Sequence, residues 1–307
     1  MDLLACFLWA TFSLPGPSIW NHAPVFAQAA PNDSLIRAIE HDRRKTEEWL
    51  KSSPSSYLAT IHRVDFGDRM TLTVGRSPEC NVQIDDPAVQ PLHLRVTVVA
   101  DSFLVEALDP LATFGVGGQQ QRRAVLPASS ITIDRFAIRL SHQRFPALIV
   151  FDTKSPRYAE YKGLKYFPVD LSYRFVLPLT PNTSRDTVII HSTRGNLRRA
   201  IRVGWFEFTV RDTACRLEVS RLLEPGVGED SYSVFFRDRT SGKGSYGMGR
   251  YVEAETLPDG RFVLDFNQAY NPACAFSLHY NCPIPPDGNS LPVEIRTGEM
   301  DAGYMEH

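Results

Sequence analysis

Three polar side chains near the end of the chain could form a binding or catalytic site. Arg250 belongs to one predicted strand, 249–254, and Asp265 and Asn267 lie on or just after the next, 261–266. Side chains two residues apart on a strand point to the same face, so Asp265 and Asn267 share a face. A hairpin between the two strands would bring the Arg250 guanidinium beside them, where it could pair with the Asp265 carboxylate through two hydrogen bonds.

A long loop with several prolines, 270–289, follows this second strand. A loop of this length needs hydrogen-bond partners for its backbone, so the same polar side chains could clamp it. They could equally form a polar pocket for a small ligand, to which Tyr270, Asn271 and Glu299 are further candidates. Both alternatives stay open. In the enzyme version, Asp265, Asn267 and Arg250 would serve a hydrolase that acts on an extracytoplasmic small molecule.

The cysteines of this loop allow three chemistries. Cys274, His279 and Cys282 have a Cys-x4-His-x2-Cys spacing, which could bind zinc if a fourth ligand such as His191 or Cys215 came close. A nucleophilic Cys274 would need His279 as its base. The paired Cys-x2-Cys ligands typical of zinc sites are absent, and in an oxidising compartment the two nearby cysteines would pair. The sequence therefore favours a Cys274–Cys282 disulfide and predicts no metal and no cofactor.

The first thirty residues resemble an export signal in composition. The run LLACFLWATFSL is almost wholly apolar but too short to span a membrane, and Ala27-Gln28-Ala29 has the small-x-small pattern of a signal-peptidase site. We expect cleavage after Ala29, a secreted or periplasmic location and no membrane span in the mature chain. No positive charge precedes the apolar run, so a misplaced start codon or an uncleaved tail is the alternative.

The overall composition is that of an ordinary soluble protein. The chain has 307 residues, with 33 Lys and Arg against 35 Asp and Glu and a formal charge of −2. A nucleic-acid binder needs a surplus of clustered basic residues, which is absent. The expected partner is therefore a small molecule or a protein rather than a nucleic acid.

The hydrophobic pattern predicts one helix followed by many short strands. Apolar residues recur at helical spacing over 34–52, and alternation with a period of two begins after residue 57. The predicted domains are a signal peptide (1–29), an amphipathic helix (30–56), a first β unit (57–152) and a second β-rich unit (153–307). The predicted strands are 71–74, 94–99, 131–140, 147–151, 173–179, 188–191, 201–210, 217–220, 232–236, 249–254 and 261–266.

The first β unit resembles a known sandwich. The strings LTVGRSPECNVQIDD at 72–86 and LHLRV at 92–96 resemble the forkhead-associated (FHA) domain, which implies a β-sandwich that binds phosphothreonine peptides. In that family an Arg after a Gly, a Ser three residues before a His, and an Asn before a later Gly hold the phosphate. Arg76 and His93 match, but Gln90 and Phe114 replace the Ser and the Asn. The resemblance thus implies a degenerate phosphate site.

The C-terminal unit resembles an uncharacterised bacterial family, domain of unknown function 1684. The resemblance rests on YGMGR at 246–250, LDFNQAYNPACAF at 264–276, CPIPP at 282–286 and, upstream, RYAEYKGLKYFP at 157–168. Ala273 departs from a pattern that usually has a second proline. The family implies no activity. Our expectation is a mostly β protein, with an N-terminal helix, an FHA-like sandwich and a second antiparallel sandwich or barrel, that acts as an exported binding or docking module.

Overall fold

The computed structural model describes residues 32–184 and 186–304. The predicted signal peptide and its cleavage after Ala29 lie outside these residues. Within the described ranges, no helix combines the length and the apolar character that crossing a membrane requires.

The predicted N-terminal helix is confirmed. Helix α1 spans Asn32–Ser52, with acidic Asp33 in its first turn and basic Lys51 in its last, as the helix dipole favours. Most of its surface is exposed, and Ile39 and Leu50 are its buried residues. The helix is therefore held to the rest of the chain by one narrow apolar stripe and by the polar contacts described below.

Eleven strands follow and form two facing sheets. The strands are β1 (Thr60–Asp65), β2 (Thr71–Gly75), β3 (Val82–Gln83), β4 (Leu94–Val99), β5 (Ser102–Ala107), β6 (Phe114–Val116), β7 (Gln119–Gln121), β8 (Arg123–Pro127), β9 (Ser129–Ile133), β10 (Phe136–His142) and β11 (Pro146–Asp152). One sheet has the order β1-β11-β10-β9-β6-β7 and the other β3-β2-β4-β5-β8. A single core joins them, to which Val96 and Phe103 contribute from one sheet and Ile138 and Val150 from the other. This is the predicted sandwich.

The predicted strand 131–140 is wrong, because it is two strands. β9 ends at Ile133 and β10 begins at Phe136, and the two pair with each other in an antiparallel hairpin. The intervening turn contains Asp134 at φ +50°, a left-handed conformation that aspartate tolerates better than most residues. Neither glycine nor proline marks this turn.

In the second unit, residues 153–184 and 186–304 contain helix α2 (Arg157–Glu160) and nine strands. These are β12 (Arg174–Leu177), β13 (Thr180–Pro181), β14 (Thr187–His191), β15 (Leu197–Val210), β16 (Thr213–Leu222), β17 (Ser233–Phe236), β18 (Arg250–Glu253), β19 (Glu255–Thr256) and β20 (Phe262–Asp265). One sheet has the order β13-β15-β16-β17-β18, with β14 also paired to β15, and the other β12-β20-β19. Phe206 and Phe236 from the first meet Phe262 and Leu264 from the second in one core. Of the two predicted alternatives the sandwich is observed, and no barrel closes within the described residues.

A third apolar cluster connects helix α1 with the proline-containing loop 270–289. Leu50 of the helix and Leu58 after it pack in one cluster with Phe276, Tyr280 and Cys282. The loop is therefore an interior layer, with the helix on one side and the second unit on the other.

One amide side chain fastens the end of this loop between two strands. β16 and β17 pair at a single position, Ser220 with Ser233. Beside that position, the Asn289 Nδ2 donates to the carbonyls of Glu218 (3.0 Å) and Phe235 (2.8 Å), and its Oδ1 accepts the Glu218 N–H at 2.7 Å. The side chain thus supplies hydrogen bonds that a neighbouring backbone would otherwise make.

We expect Asn289→Ala to lower the free energy of unfolding by about 3 kcal/mol, because it removes the side-chain partner of one buried and two partly buried backbone groups. Chemical denaturation monitored by tryptophan fluorescence measures the loss. Asn182→Ala is the control, since that half-buried amide donates one side-chain hydrogen bond, to the Arg202 carbonyl. A loss for Asn289→Ala no larger than the control's would contradict the role assigned to it.

Candidate functional site

Arg250 forms a buried ion pair at the start of β18. Its Nη2 lies 2.9 Å from the Asp238 Oδ2, and the two side chains are 1% and 0% exposed. The same guanidinium donates to the carbonyls of Ile295 (2.8 Å), Thr297 and Glu299, and the Asp238 Oδ2 also accepts the Ile295 N–H at 2.9 Å. The pair therefore holds residues 293–300, which we call the C-terminal strap.

The predicted contact of Arg250 with Asp265 or Asn267 is wrong. β18 pairs with β17 in the larger sheet, whereas β20 pairs with β12 and β19 in the smaller one. The chain crosses between the two sheets after Glu253, so the strands that were expected to form a hairpin lie in different layers. The nearer carboxylate, Asp238, takes the arginine instead.

Asp265 and Asn267 belong to a second network. The Asp265 Oδ1 accepts the Asn267 N–H at 2.9 Å and its Nδ2 at 2.8 Å, and Arg174 approaches the other oxygen at 3.5 Å. Burial raises the pKa of the Asp265 carboxyl, and the hydrogen bonds from Asn267 oppose that effect. The Asn267 amide also exchanges two hydrogen bonds with the Asp170 backbone, at 2.8 and 2.9 Å, and accepts one from the Thr297 hydroxyl. It thereby joins three segments of the chain.

Glu299 lies near the C-terminal end of the strap. It is 4% exposed, and its Oε2 accepts the Asn271 N–H at 2.7 Å. Burial raises its pKa to about 7, against the opposing effects of that hydrogen bond, the Arg250 and Arg43 charges and a hydrogen bond from Tyr166. The preceding Gly298 has φ +79°, and a Cβ there would lie 2.7 Å from the carbonyl oxygens of Phe266 and Ala269. Only glycine allows the strap to approach so closely.

Helix α1 reaches this network through Arg43. The guanidinium lies 4.5 Å from the centre of the Tyr166 ring and donates to the carbonyls of Phe167 (3.1 Å) and Asn267 (3.4 Å). Three buried polar atoms near Glu299 have no hydrogen-bond partner in the described chain, namely the Arg43 Nε, the Tyr161 hydroxyl and the Asn271 Oδ1. The network is thus buried and only partly satisfied.

Tyr270 lies slightly apart from the other predicted site residues. Its backbone exchanges two hydrogen bonds of 2.9 Å with Tyr251, and its hydroxyl donates to the Glu253 Oε1 at 3.3 Å. Asn271, the next residue, turns to the strap, where its Nδ2 donates to the Met300 carbonyl at 2.7 Å. The six predicted residues therefore form a frame around the strap rather than one open pocket.

The predicted Cys274–Cys282 disulfide is absent, and both residues are buried free thiols. The Cys282 sulfur accepts the Cys274 N–H at 3.3 Å, and the Tyr246 hydroxyl donates to the Cys274 sulfur at 3.6 Å. The hydrogen bond from Cys282 lowers the pKa of the Cys274 thiol, whereas burial raises the pKa of Cys282. Hydrogen bonds thus hold the two thiols in place without a covalent bond.

His279 contacts Cys274 neither as a fellow zinc ligand nor as the base of a nucleophilic thiol. Its ring faces that of His62, with 6.3 Å between the ring centroids. Among the residues that the structure describes, no three His, Cys, Asp or Glu side chains are grouped as metal ligands. A base beside Cys274 would have to come from elsewhere.

In the first sandwich, His93 is structural. It is 4% exposed, its Nδ1 accepts the Gln90 N–H at 3.0 Å, and its Nε2 bonds to the Thr113 carbonyl at 2.9 Å. Phe114, which replaces the asparagine of the phosphate site, lies in the sandwich core. Arg76 is exposed. Of the residues in the degenerate phosphate site, Arg76 therefore remains at the surface.

A cavity of about 380 Å³ lies where the first sandwich meets the second unit. Its wall includes residues 224 and 226–232 of the loop between β16 and β17, Ser233 at the start of β17, residues 281–283, and Gln143 from the turn after β10. Arg198 and Glu224 form an ion pair in this wall, with side chains that are 1% and 6% exposed. Asn281 also lines the cavity, and its Nδ2 is buried without a partner in the described chain. Sequence reasoning missed this cavity, although a ten-residue connection between strands was a signal for it.

Two family models match the chain. The model described as "Protein of unknown function (DUF1684)" matches residues 159–300, which contain β12 to β20 and the whole strap. The chain belongs to this family. The FHA domain model matches residues 72–132, inside the first sandwich. The DUF1684 region holds all six predicted ligand-binding residues and nearly all of the cavity wall.

A solved structure is also similar to this chain. It is the solution NMR structure of an uncharacterized protein of Haloarcula marismortui, which is 32% identical in sequence. The similarity covers 49% of this chain and 82% of that protein, with a TM-score of 0.40. No curated protein matches the chain. Neither the family description nor this relative names an activity, so the function has to be argued from the site itself.

We expect the stability of the protein to fall as pH rises from about 4.5 to about 7 because of Glu299. Its pKa in the folded chain is about 7 against an ordinary value of 4.5, so the folded state holds the proton across this window and the unfolded state does not. Glu299→Gln keeps an uncharged group at every pH. Between pH 5 and pH 8 the variant should therefore gain about 2 to 3 kcal/mol relative to the natural protein.

Urea denaturation at several pH values measures this gain. Glu294→Gln is the control, because Arg296 lowers the pKa of that exposed carboxyl. The charged form of Glu294 therefore stabilises the folded state, whereas the charged form of Glu299 destabilises it. A pH-independent difference between Glu299→Gln and the natural protein would show that the Glu299 carboxyl titrates normally.

Proposed function

We propose that this protein is a small-molecule-binding protein whose ligand occupies the cavity beside Arg198 and Glu224. The observation that carries this proposal is the cavity itself, which is large enough for a small organic ligand and combines apolar walls with fixed polar groups. The Arg198 Nε donates to the Ser192 hydroxyl at 2.7 Å, and other guanidinium nitrogens bind Glu224 and the Asn281 carbonyl. A wall built this way is preorganised for binding.

The polar network around the strap supports this function indirectly. Tyr251 pairs with Tyr270 along the backbone, and its hydroxyl bonds to the Pro283 carbonyl at the cavity wall. Glu253, also in the wall, accepts hydrogen bonds from the hydroxyls of Tyr270 and Ser233. The network, for which the sequence left a pocket and a clamp open, thus forms part of the frame of the neighbouring cavity in this proposal.

The hydrolase alternative required Arg250, Asp265 and Asn267 to share one site. Arg250 binds Asp238 and the strap, whereas Asp265 and Asn267 bind each other and the Asp170 backbone. These groups are buried and hydrogen-bonded within the chain, so the observations favour the binding protein.

A screen of a small-molecule library by thermal shift, with a variant whose cavity is filled, tests the proposed function. Val227 lines the cavity, so Val227→Trp should abolish the stabilisation that a bound compound produces. Leu197→Trp is the matched control, because Leu197 is 52% exposed and does not line the cavity. A library in which no compound's shift depends on Val227→Trp would refute binding in this cavity.

We also propose that residues 1–29 direct export of the chain. Support comes from the apolar run 3–14 and from the small residues that precede position 30. Protein expressed with its full leader in a bacterial host should be recovered outside the cytoplasm with Ala30 as its first residue, as N-terminal sequencing would show. Ala29→Arg should block this cleavage, because only small side chains fit the peptidase at that position. Recovery of the natural chain from the cytoplasm with an intact N-terminus would contradict export.

A further inference from the structure

The most enclosed charges of the cavity wall are paired within the chain. The side chains of Arg198 and Glu224 both line the cavity, form an ion pair, and are 1% and 6% exposed. Each guanidinium nitrogen of Arg198 already donates a hydrogen bond, to the Ser192 hydroxyl, to Glu224, or to Gln143 and the Asn281 carbonyl. The arginine therefore has little capacity left to bind an anionic ligand.

The other carboxylates of the wall offer little to a cationic ligand. Glu253 accepts the Ser233 hydroxyl at 2.8 Å and the Tyr270 hydroxyl at 3.3 Å, and it has a further contact within the chain. Glu229 and Asp230 are exposed residues of the loop before β17, where water hydrates them and salt screens them. Their charges therefore lie in solvent rather than inside the cavity.

A charged ligand would lose its water of hydration in this cavity without gaining an unpaired counter-charge. Burial of an ion is unfavourable unless an opposite charge and hydrogen bonds compensate for the lost water. The pKa of the Glu224 carboxyl reflects this cost, because burial raises it even though Arg198 lies beside it. An uncharged ligand avoids the cost.

Apolar side chains and rings form another part of the wall. Leu222, Val227, Tyr232 and Phe235 all line the cavity. The Tyr232 ring packs edge-on against Phe262, with 4.9 Å between the ring centroids, so a neighbouring side chain fixes its position. An apolar cavity of about 150 Å³ is large enough for benzene. A cavity of about 380 Å³ can therefore hold a ring that carries a substituent.

The unsatisfied polar atom of the wall is also uncharged. Among the buried side-chain nitrogen and oxygen atoms that the structure describes in this wall, the Asn281 Nδ2 lacks a hydrogen-bond partner. The Asn281 Oδ1 accepts the Arg194 N–H at 3.4 Å, which assigns the amide nitrogen to the other position. An amide nitrogen only donates, so an ammonium group cannot satisfy it.

We infer that the ligand of this cavity is an uncharged organic molecule built around an apolar ring, which packs against the side chains of Tyr232 and Phe235. This inference rests on the proposed function. It specifies the charge and the shape of the ligand, neither of which follows from the cavity volume.

Calorimetric titration of the full chain with 2-phenylethanol, phenylacetate and 2-phenylethylamine at neutral pH tests the inference. The three probes share a ring and have nearly the same size, but the first is neutral, the second negative and the third positive. We expect the alcohol to bind at least about tenfold more tightly than either ion, because only the ions need an unpaired counter-charge. Val227→Trp should abolish binding of the alcohol, whereas Leu197→Trp, at an exposed position outside the cavity, should not.

Glu224→Gln provides a second test, since it leaves the Arg198 guanidinium without its carboxylate partner. The folded variant should bind phenylacetate at least about tenfold more tightly than the natural protein does. Glu207→Gln is the control, because Glu207 is exposed and lies outside the cavity. Unchanged phenylacetate binding by folded Glu224→Gln would contradict the inference. If Glu224→Gln fails to fold, the comparison of the three probes on the natural chain still decides it.

The outcomes separate this inference from the proposed function. An ion that binds as tightly as the alcohol, and whose binding Val227→Trp blocks, would overturn the uncharged-ligand inference and leave the binding cavity intact. Binding of the alcohol that survives Val227→Trp unchanged would overturn both, because the probe would then bind elsewhere. Absence of binding by all three probes would overturn the inference of a ring ligand, and the library screen would still decide the proposed function.

Discussion

The ion pair between Arg250 and Asp238 holds the C-terminal strap in the interior, and the candidate site depends on it. Both side chains are almost completely enclosed, so removal of either partner would leave an uncompensated buried charge, typically a loss of about 3 to 5 kcal/mol. The desolvation of this pair is offset by further hydrogen bonds, since the arginine also binds three strap carbonyls and the aspartate accepts a strap N–H. One arginine thus supplies hydrogen bonds to the backbone carbonyls of a segment that forms no strand.

The strap in turn unites parts of the chain that are far apart in sequence. Its backbone pairs with residue 165 on one side and with Ala269 on the other, and Glu299 approaches Arg43 of helix α1 closely enough to affect its pKa. A helix with little buried apolar surface is therefore attached through the Arg43 guanidinium, which donates to the Phe167 and Asn267 carbonyls next to the strap. Burial raises the pKa of the Glu299 carboxyl to about 7, so the charge that acts on Arg43 depends on pH near neutrality.

Local patterns predicted the elements well and their partners poorly. Strand β4 was predicted with its observed bounds, 94–99, because its apolar residues alternate regularly. The hairpin at Asp134 was missed because its turn contains neither glycine nor proline. Arg250 was paired with Asp265 because the two strands are successive along the chain, but sheet assignment depends on packing between layers, which no local pattern encodes. The cavity was missed for the same reason, since its wall combines residue 143 with residues more than 130 positions later.

The first sandwich contributes to the site through its edge rather than through its degenerate phosphate loops. Phe114 packs in the core and His93 fixes two loops, so neither is available to a ligand. At β1, in contrast, Arg63 donates to the His279 carbonyl, and Asp65 pairs with Arg194 at 2.8 Å. Through these contacts, and through Gln143 in the cavity wall, the sandwich packs against the segment that contains Asn281 and Cys282. A sandwich that closes one side of a cavity in the neighbouring unit needs a rigid edge rather than a loop that binds phosphate. It can therefore lose the residues that bind a phosphopeptide and keep this role.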